Sequence, residues 1–184
     1  CASIIIGVLS MTGLGVKLTS LIISLSGNSV WPALILTGLA CLLLGMEVPT
    51  TAAYVICVSV AGPALVDMGL ELLQVHLFVF WFALLSTITP PVCGTVFIAS
   101  GMVSENWLKV SITSMSLGIG LYFIPLAMIA NDEIIKLDTE FLYAIIAFVK
   151  IALSLVMLSY ALITKSLIFL RLLAFGLGMI LMFV

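Results

Sequence analysis

Charge is what this sequence has least of. Six basic and eight acidic side chains in 184 residues leave 8% of positions charged, against roughly 25% in an ordinary soluble domain. A soluble fold of this size needs a polar exterior, and too few polar side chains are present to build one. The basic residues are scattered, so no positive field attracts phosphate and nucleic-acid binding is excluded. A net charge of -2 is too small to select a partner. A Gly-rich phosphate loop, a nucleophile elbow and a metal-ligand cluster are all missing, so neither enzymatic activity nor an organic cofactor is expected. The four cysteines, Cys1, Cys41, Cys57 and Cys93, lie in apolar segments without metal-ligand spacing and read as small buried hydrophobes.

Apolar sequence is abundant: 64% of residues are hydrophobic and the mean hydropathy is +1.45. The apolar runs are continuous, not alternating, which predicts helices in a bilayer and not a barrel. The expected fold class is an all-α polytopic membrane protein. A bilayer core of ~30 Å takes ~20 helical residues. Residues 2–25 can span once, with Gly13, Gly15 and Lys17 as weak points. Residues 107–130, 141–164 and 168–184 can each span once. Segments 31–65 and 72–102 are different. Each opens with an apolar run of ~21 Å of helix at 1.5 Å per residue, then meets GMEVPTT (Gly45 to Thr51) or STITPP (Ser86 to Pro91). Proline removes a donor, clashes with the preceding turn and pushes the residue before it out of helix. Pro49, Pro90 and Pro91 therefore predict two helix breaks near mid-membrane. Unwound backbone survives there only where it lines protein or a water-filled cavity. A pair of such breaks is the pattern of discontinuous helices around the midplane site of a secondary transporter.

With 103–109 placed in the cytoplasm, inside loops hold Lys109, Lys165 and Arg171 and outside loops hold only Lys136. That basic bias favours the assignment. Segment 31–65 then starts and ends outside, either crossing twice or entering and returning. Its half-length arms favour a re-entrant hairpin with GMEVPTT at the tip.

Half-helices that start at mid-membrane offer unpaired amides and a positive dipole end. Pro49 and Pro91 suit the starts of helices running from Thr50 and Val92, and two such ends favour an anion. The half-helices ending near Leu44 and Leu85 leave carbonyls. Together with hydroxyls of Thr50, Thr51, Ser86, Thr87 and Thr89 these are hard oxygen ligands suited to sodium. The bland alternative is that the hydroxyls only cap helices or bond back to carbonyls. Gly45 permits close approach. Glu47, the carboxylate nearest mid-membrane, binds the cation, carries a proton, pairs with a basic residue, or sits shallow enough to meet water. The candidate site is thus Gly45, Glu47, Pro49, Thr50, Thr51, Ser86, Thr87, Thr89, Pro90 and Pro91, with sodium at Gly45, Thr50, Thr51, Ser86 and Thr89. Lys150 is too deep to reach water easily and needs a partner, a helix of another domain being favoured over substrate. His76 reads as a structural hydrogen-bonder.

The stretches GMEVPTTAAYVICVSVAGPALVDMGL and HLFVFWFALLSTITPPVCGTVFIASGM closely resemble the large membrane subunit of tripartite ATP-independent periplasmic (TRAP) transporters, nearest to the fused-permease branch. The family commonly shows GMGxPT at the tip, and this chain carries Glu47 at the second glycine. The resemblance covers about residues 2–130 and implies half of an inverted-repeat ion-transporter fold. Residues 1–130 would form the second repeat of the transport domain and 131–184 extra C-terminal membrane helices. It implies sodium-driven import of organic anions, typically carboxylates, in the cell inner membrane, by elevator-like movement. It further implies an extracytoplasmic substrate-binding protein, a missing N-terminal half or small membrane subunit, and sodium as coupling ion. Other readings are an ion-coupled carrier or antiporter working without a binding protein, and a non-transporting membrane scaffold or remnant.

Overall fold

The computed structural model describes residues 4, 7–8, 11–46, 48–136, 141–164 and 168–183, and regular structure among them is helical throughout. Glu47, Asp138, Glu140 and Lys165 lie outside the described residues. In chain order the helices are α1 (Leu14–Ser26), α2 (Val30–Leu44), α3 (Thr50–Val60), α4 (Gly62–Asp67), α5 (Leu72–Leu85), α6 (Gly94–Val103), α7 (Trp107–Leu117) and α8 (Ile119–Ala130). A short 3-10 turn (Asp132–Ile134) precedes α9 (Phe141–Ile163) and α10 (Ile168–Phe183). The chain divides into two compact units, residues 1–111 and 112–184.

In the first unit, α2 and α3 form an antiparallel hairpin. Cys57 Sγ reaches the Cys41 carbonyl at 3.7 Å. The return arm α3 runs along α5, where Tyr54 meets both His76 and Phe80. The inner face of α2 carries Ala33, Leu34, Thr37, Gly38 and Cys41, all buried. Its outer face carries Ile35, Leu39 and Leu43, four residues apart and each more than half exposed. Burying such a side chain is worth about 1.5–3 kcal/mol, and no polar residue shares that face. Lipid is the environment that suits it. Small residues inside let helices approach closely. A Cβ added at Gly38 would lie 2.9 Å from Phe82 Cε1, and Phe82 packs on Phe78 with ring centroids 4.7 Å apart. Phe80, by contrast, faces outward. The start of α5 is fixed by a capping box in which Gln74 Oε1 accepts the Glu71 amide at 3.1 Å.

In the second unit, the buried stripe of α9 (Ala144, Ala147, Ile151, Ser154, Leu158, Ala161) recurs every three or four residues. It faces α10, whose Gly178 comes so close that an added Cβ would lie 3.2 Å from the Ser154 carbonyl. Lys150 Nζ donates to Asn131 Oδ1 at 2.7 Å. Asn131 Nδ2 donates in turn to the carbonyls of Ala127 and Met182, at 2.9 and 3.0 Å. The partner of Lys150 is thus in its own unit, where another domain was expected. Arg171 Nε donates to the Ala161 carbonyl at 2.7 Å and caps the end of α9.

The helices are shorter than the apolar runs that contain them. Among the described residues, only Phe141–Ile163 is by itself long and apolar enough to cross a membrane. Trp107–Leu117 and Ile119–Ala130 qualify together but bend by 42° at the break between them. That break falls at Gly118, inside the run 107–130 expected to span once. Gly13, at φ 65, likewise interrupts the run 2–25.

Candidate functional site

The first break lies between α2 and α3. The Gly45 amide closes the last turn of α2 on the Cys41 carbonyl at 2.9 Å. Pro49 is the residue before α3, and its carbonyl accepts the Ala53 amide at 2.9 Å. Among the described residues no side chain caps that start. The amides of Thr50, Thr51 and Ala52 are therefore the orphan donors of the helix. Thr50 is half-buried, and Thr51 and Pro49 are exposed. Glu47 lies outside the described residues.

The second break follows α5. Ser86, Thr87 and Thr89 each donate back to a carbonyl of the last turn: Ser86 to Ala83 at 2.7 Å, Thr87 to Leu84 at 2.8 Å, and Thr89 to Leu85 at 2.6 Å. The carbonyls expected to be free are thus engaged. Each hydroxyl spends its proton in this way but keeps acceptor lone pairs, and each carbonyl has a second lone pair. The α5 end consequently presents oxygen acceptors, a surface for a cation. The next helix starts at Gly94 with Cys93 before it, two residues later than expected from Pro91. The Pro90–Pro91 bond is cis. Pro90 is half-buried and Pro91 exposed. Thr95 Oγ1 donates to the Thr87 carbonyl at 2.6 Å and ties the two halves together.

The two breaks touch. A Cβ added at Gly45 would run into the Ser86 hydroxyl and lie 2.9 Å from Ser86 Cβ. Both residues are buried. With Gly38 on Phe82 and Gly45 on Ser86, α2 and α5 run side by side in one direction and end at one level. No hydrogen bond joins Thr50 or Thr51 to the second break among the described residues.

Tyr54 and His76 brace this arrangement: the phenol and Nδ1 are 2.6 Å apart, linking the return arm to α5. His76 therefore has the structural bond expected of it. Tyr54→Phe should lower stability by about 0.5–1.5 kcal/mol, read as a fall in the thermal midpoint of the purified protein. Sequence reasoning missed Thr95, whose only signal was a hydroxyl just past the break. It also missed Thr37, a buried threonine in a leucine run whose Oγ1 has no partner among the described residues. Among the described residues no group of three or more His, Cys, Asp or Glu could hold a metal. A sodium ion would be held instead by hydroxyl and carbonyl oxygens.

An all-α chain with lipid-suited outer faces and two helix breaks in contact belongs among membrane-associated helical proteins. A family model described as "Tripartite ATP-independent periplasmic transporter, DctM component" matches residues 1–139. The chain belongs to that transporter family. Searches of curated proteins and of solved structures found no match.

Proposed function

We propose that the chain is the second repeat and C-terminal part of a secondary carrier that imports organic anions of the carboxylate class on a sodium gradient. Residues 1–130 form the repeat, with 31–65 as a re-entrant hairpin opening outward and 72–102 as the broken helix. Residues 131–184 add membrane helices. The setting is the cell inner membrane. The partners are an extracytoplasmic substrate-binding protein and the N-terminal half or small membrane subunit that completes the permease.

The contact between Gly45 and Ser86 carries this reading. It puts the end of α2 beside the oxygen-rich end of α5, and α3 starts with unbonded amides a few residues further along the chain, at Thr50. Amides at a helix start favour an anion. Hydroxyl and carbonyl oxygens favour a hard cation. Ions of opposite sign bound side by side stabilise one another, and that reciprocal coupling is what a symporter needs. Gly45, Thr50, Thr51, Ser86 and Thr89 supply the sodium ligands; Pro49, Pro90 and Pro91 keep the backbone unwound; Thr87 holds the second break closed through Thr95. Glu47 departs from the family's glycine and adds a carboxylate to the sequence of the first break.

The test is uptake of labelled carboxylates into proteoliposomes holding the complete permease, with and without its binding protein and a sodium gradient. Uptake is expected to require both. Saturating sodium should raise apparent substrate affinity by about 5–150-fold, the usual span of coupling energies. Uptake that ignores sodium, or needs no binding protein, overturns the reading.

A further inference from the structure

A cavity of about 360 Å³ lies away from the breaks, between α1 and the α3–α4 arm. Gly13, Gly15, Val16, Thr19, Ser59, Val60, Pro63 and Asp67 line it. Three observations about it are independent of one another.

Thr19 Oγ1 is buried with no hydrogen-bond partner among the described residues. A buried hydroxyl left so is costly, and an unplaced water or ion is a standard reason for one. Gly13, at φ 65, breaks the helix on this wall. An interruption within a membrane-embedded segment is tolerated where it lines a water-filled cavity. Asp67 and Ser59 are exposed where they line the cavity, and Asp67 has no ion pair or hydrogen bond through its carboxylate among the described residues. Its side chain leans toward the helix start, as helical side chains do, and so toward Pro63 and the cavity. Ser59 donates its proton to the Ile56 carbonyl at 2.9 Å, which leaves an acceptor oxygen. Among the described residues the polar side chains of the wall are thus one carboxylate and two hydroxyls, and no basic residue lines it.

We propose that this cavity is aqueous and binds a small monovalent cation, with the Asp67 carboxylate as counter-charge and Thr19 and Ser59 oxygens reached directly or through water. A lone carboxylate suits one positive charge. The volume admits an ion with several waters, since one water occupies about 30 Å³ of liquid. The site is distinct from the Gly45–Ser86 contact. Its placement in a membrane rests on the reading above.

The test is thiol labelling of Ser59→Cys in the complete permease by a membrane-impermeant cationic methanethiosulfonate. The native thiols Cys41, Cys57 and Cys93 are buried, and the unsubstituted protein gives the background. Ser59→Cys is expected to label. Sodium at ten times its dissociation constant should slow labelling about tenfold by mass action, relative to an equal concentration of N-methylglucamine. Asp67→Asn on this background should abolish that protection and slow sodium-free labelling, because the carboxylate also attracts the cationic reagent. Thr19→Cys gives a second probe and should behave alike. Size-exclusion profiles exclude misfolded variants. Folded variants that stay unlabelled show a dry cavity and overturn the proposal. Labelling that sodium does not slow, or protection that survives Asp67→Asn, overturns it too. No transport is needed for this readout, so an inactive permease that still shows sodium protection separates this site from the proposed function.

Discussion

Gly45→Val is expected to abolish sodium-driven uptake and to lower the stability of the first unit. The added Cβ would meet the Ser86 side chain, with Ser86 Cβ at 2.9 Å and the Cys41 carbonyl at 3.1 Å. The Cys41 carbonyl belongs to the backbone and cannot swing aside. Overpacking of this kind costs about 1–3 kcal/mol, and relief by separating α2 from α5 would pull the two breaks apart. Gly45→Ala should show a milder form of both effects. Ser86→Gly should partly rescue Gly45→Ala, with a coupling of about 0.5–3 kcal/mol in the double-mutant cycle. The control is Gly101→Ala, where an added Cβ meets nothing within 4 Å and stability should stay level or rise slightly. Thermal unfolding in detergent and initial uptake rates read both effects. Wild-type uptake by Gly45→Val would mean that the breaks need not touch.

Asn131→Leu is expected to be the most damaging single change in the second unit. It removes the acceptor of the Lys150 ammonium and the donor to two carbonyls. A hydrogen bond to a charged group contributes about 1.5–3 kcal/mol, and donors or acceptors left unpaired add their own cost. Lys150→Met takes away only one of these bonds and removes the charge with it. Its loss of stability should be smaller. The double variant should lose less than the sum of the two, because the unpaired ammonium is gone. Equal effects of the two single changes would show that the charge, and not the carbonyl bridge to Met182, holds this unit together.

Much of the local architecture was legible because proline and glycine act locally. Glu47-Val48-Pro49 and Thr89-Pro90-Pro91 mark the ends of α2 and α5 by the donor that proline lacks. Gly13 was legible as a weak point of the first run, and there the helix breaks. The start of α6 was missed by two residues, since the second proline sits outside the helix and leaves its start to Cys93. The bend at Gly118 was missed because an isolated glycine in an apolar run carries no direction. The meeting of Gly45 with Ser86 was illegible for a different reason: it is tertiary, set by small residues on α2 fitting the aromatic face of α5. The back-bonds of Ser86, Thr87 and Thr89 were foreseeable only as one of two roles. A hydroxyl three or four residues past a carbonyl looks the same in sequence whether it caps a helix or ligates an ion. Here geometry shows the first role, and the spare lone pairs leave room for the second. Asn131, 19 residues from Lys150, gave no periodic signal at all.

The most direct measurement is the sodium dependence of uptake by the complete permease carrying Thr50→Val, Thr51→Val and Thr89→Val, singly and together. Valine keeps the shape of threonine and deletes the oxygen. If the paired breaks hold the coupling ion, half-saturation by sodium rises with each substitution and most in the triple variant. The thermal midpoint would fall only by the loss of the Thr89 cap. An unchanged sodium dependence in a folded, active triple variant would place the coupling ion elsewhere and contradict the account.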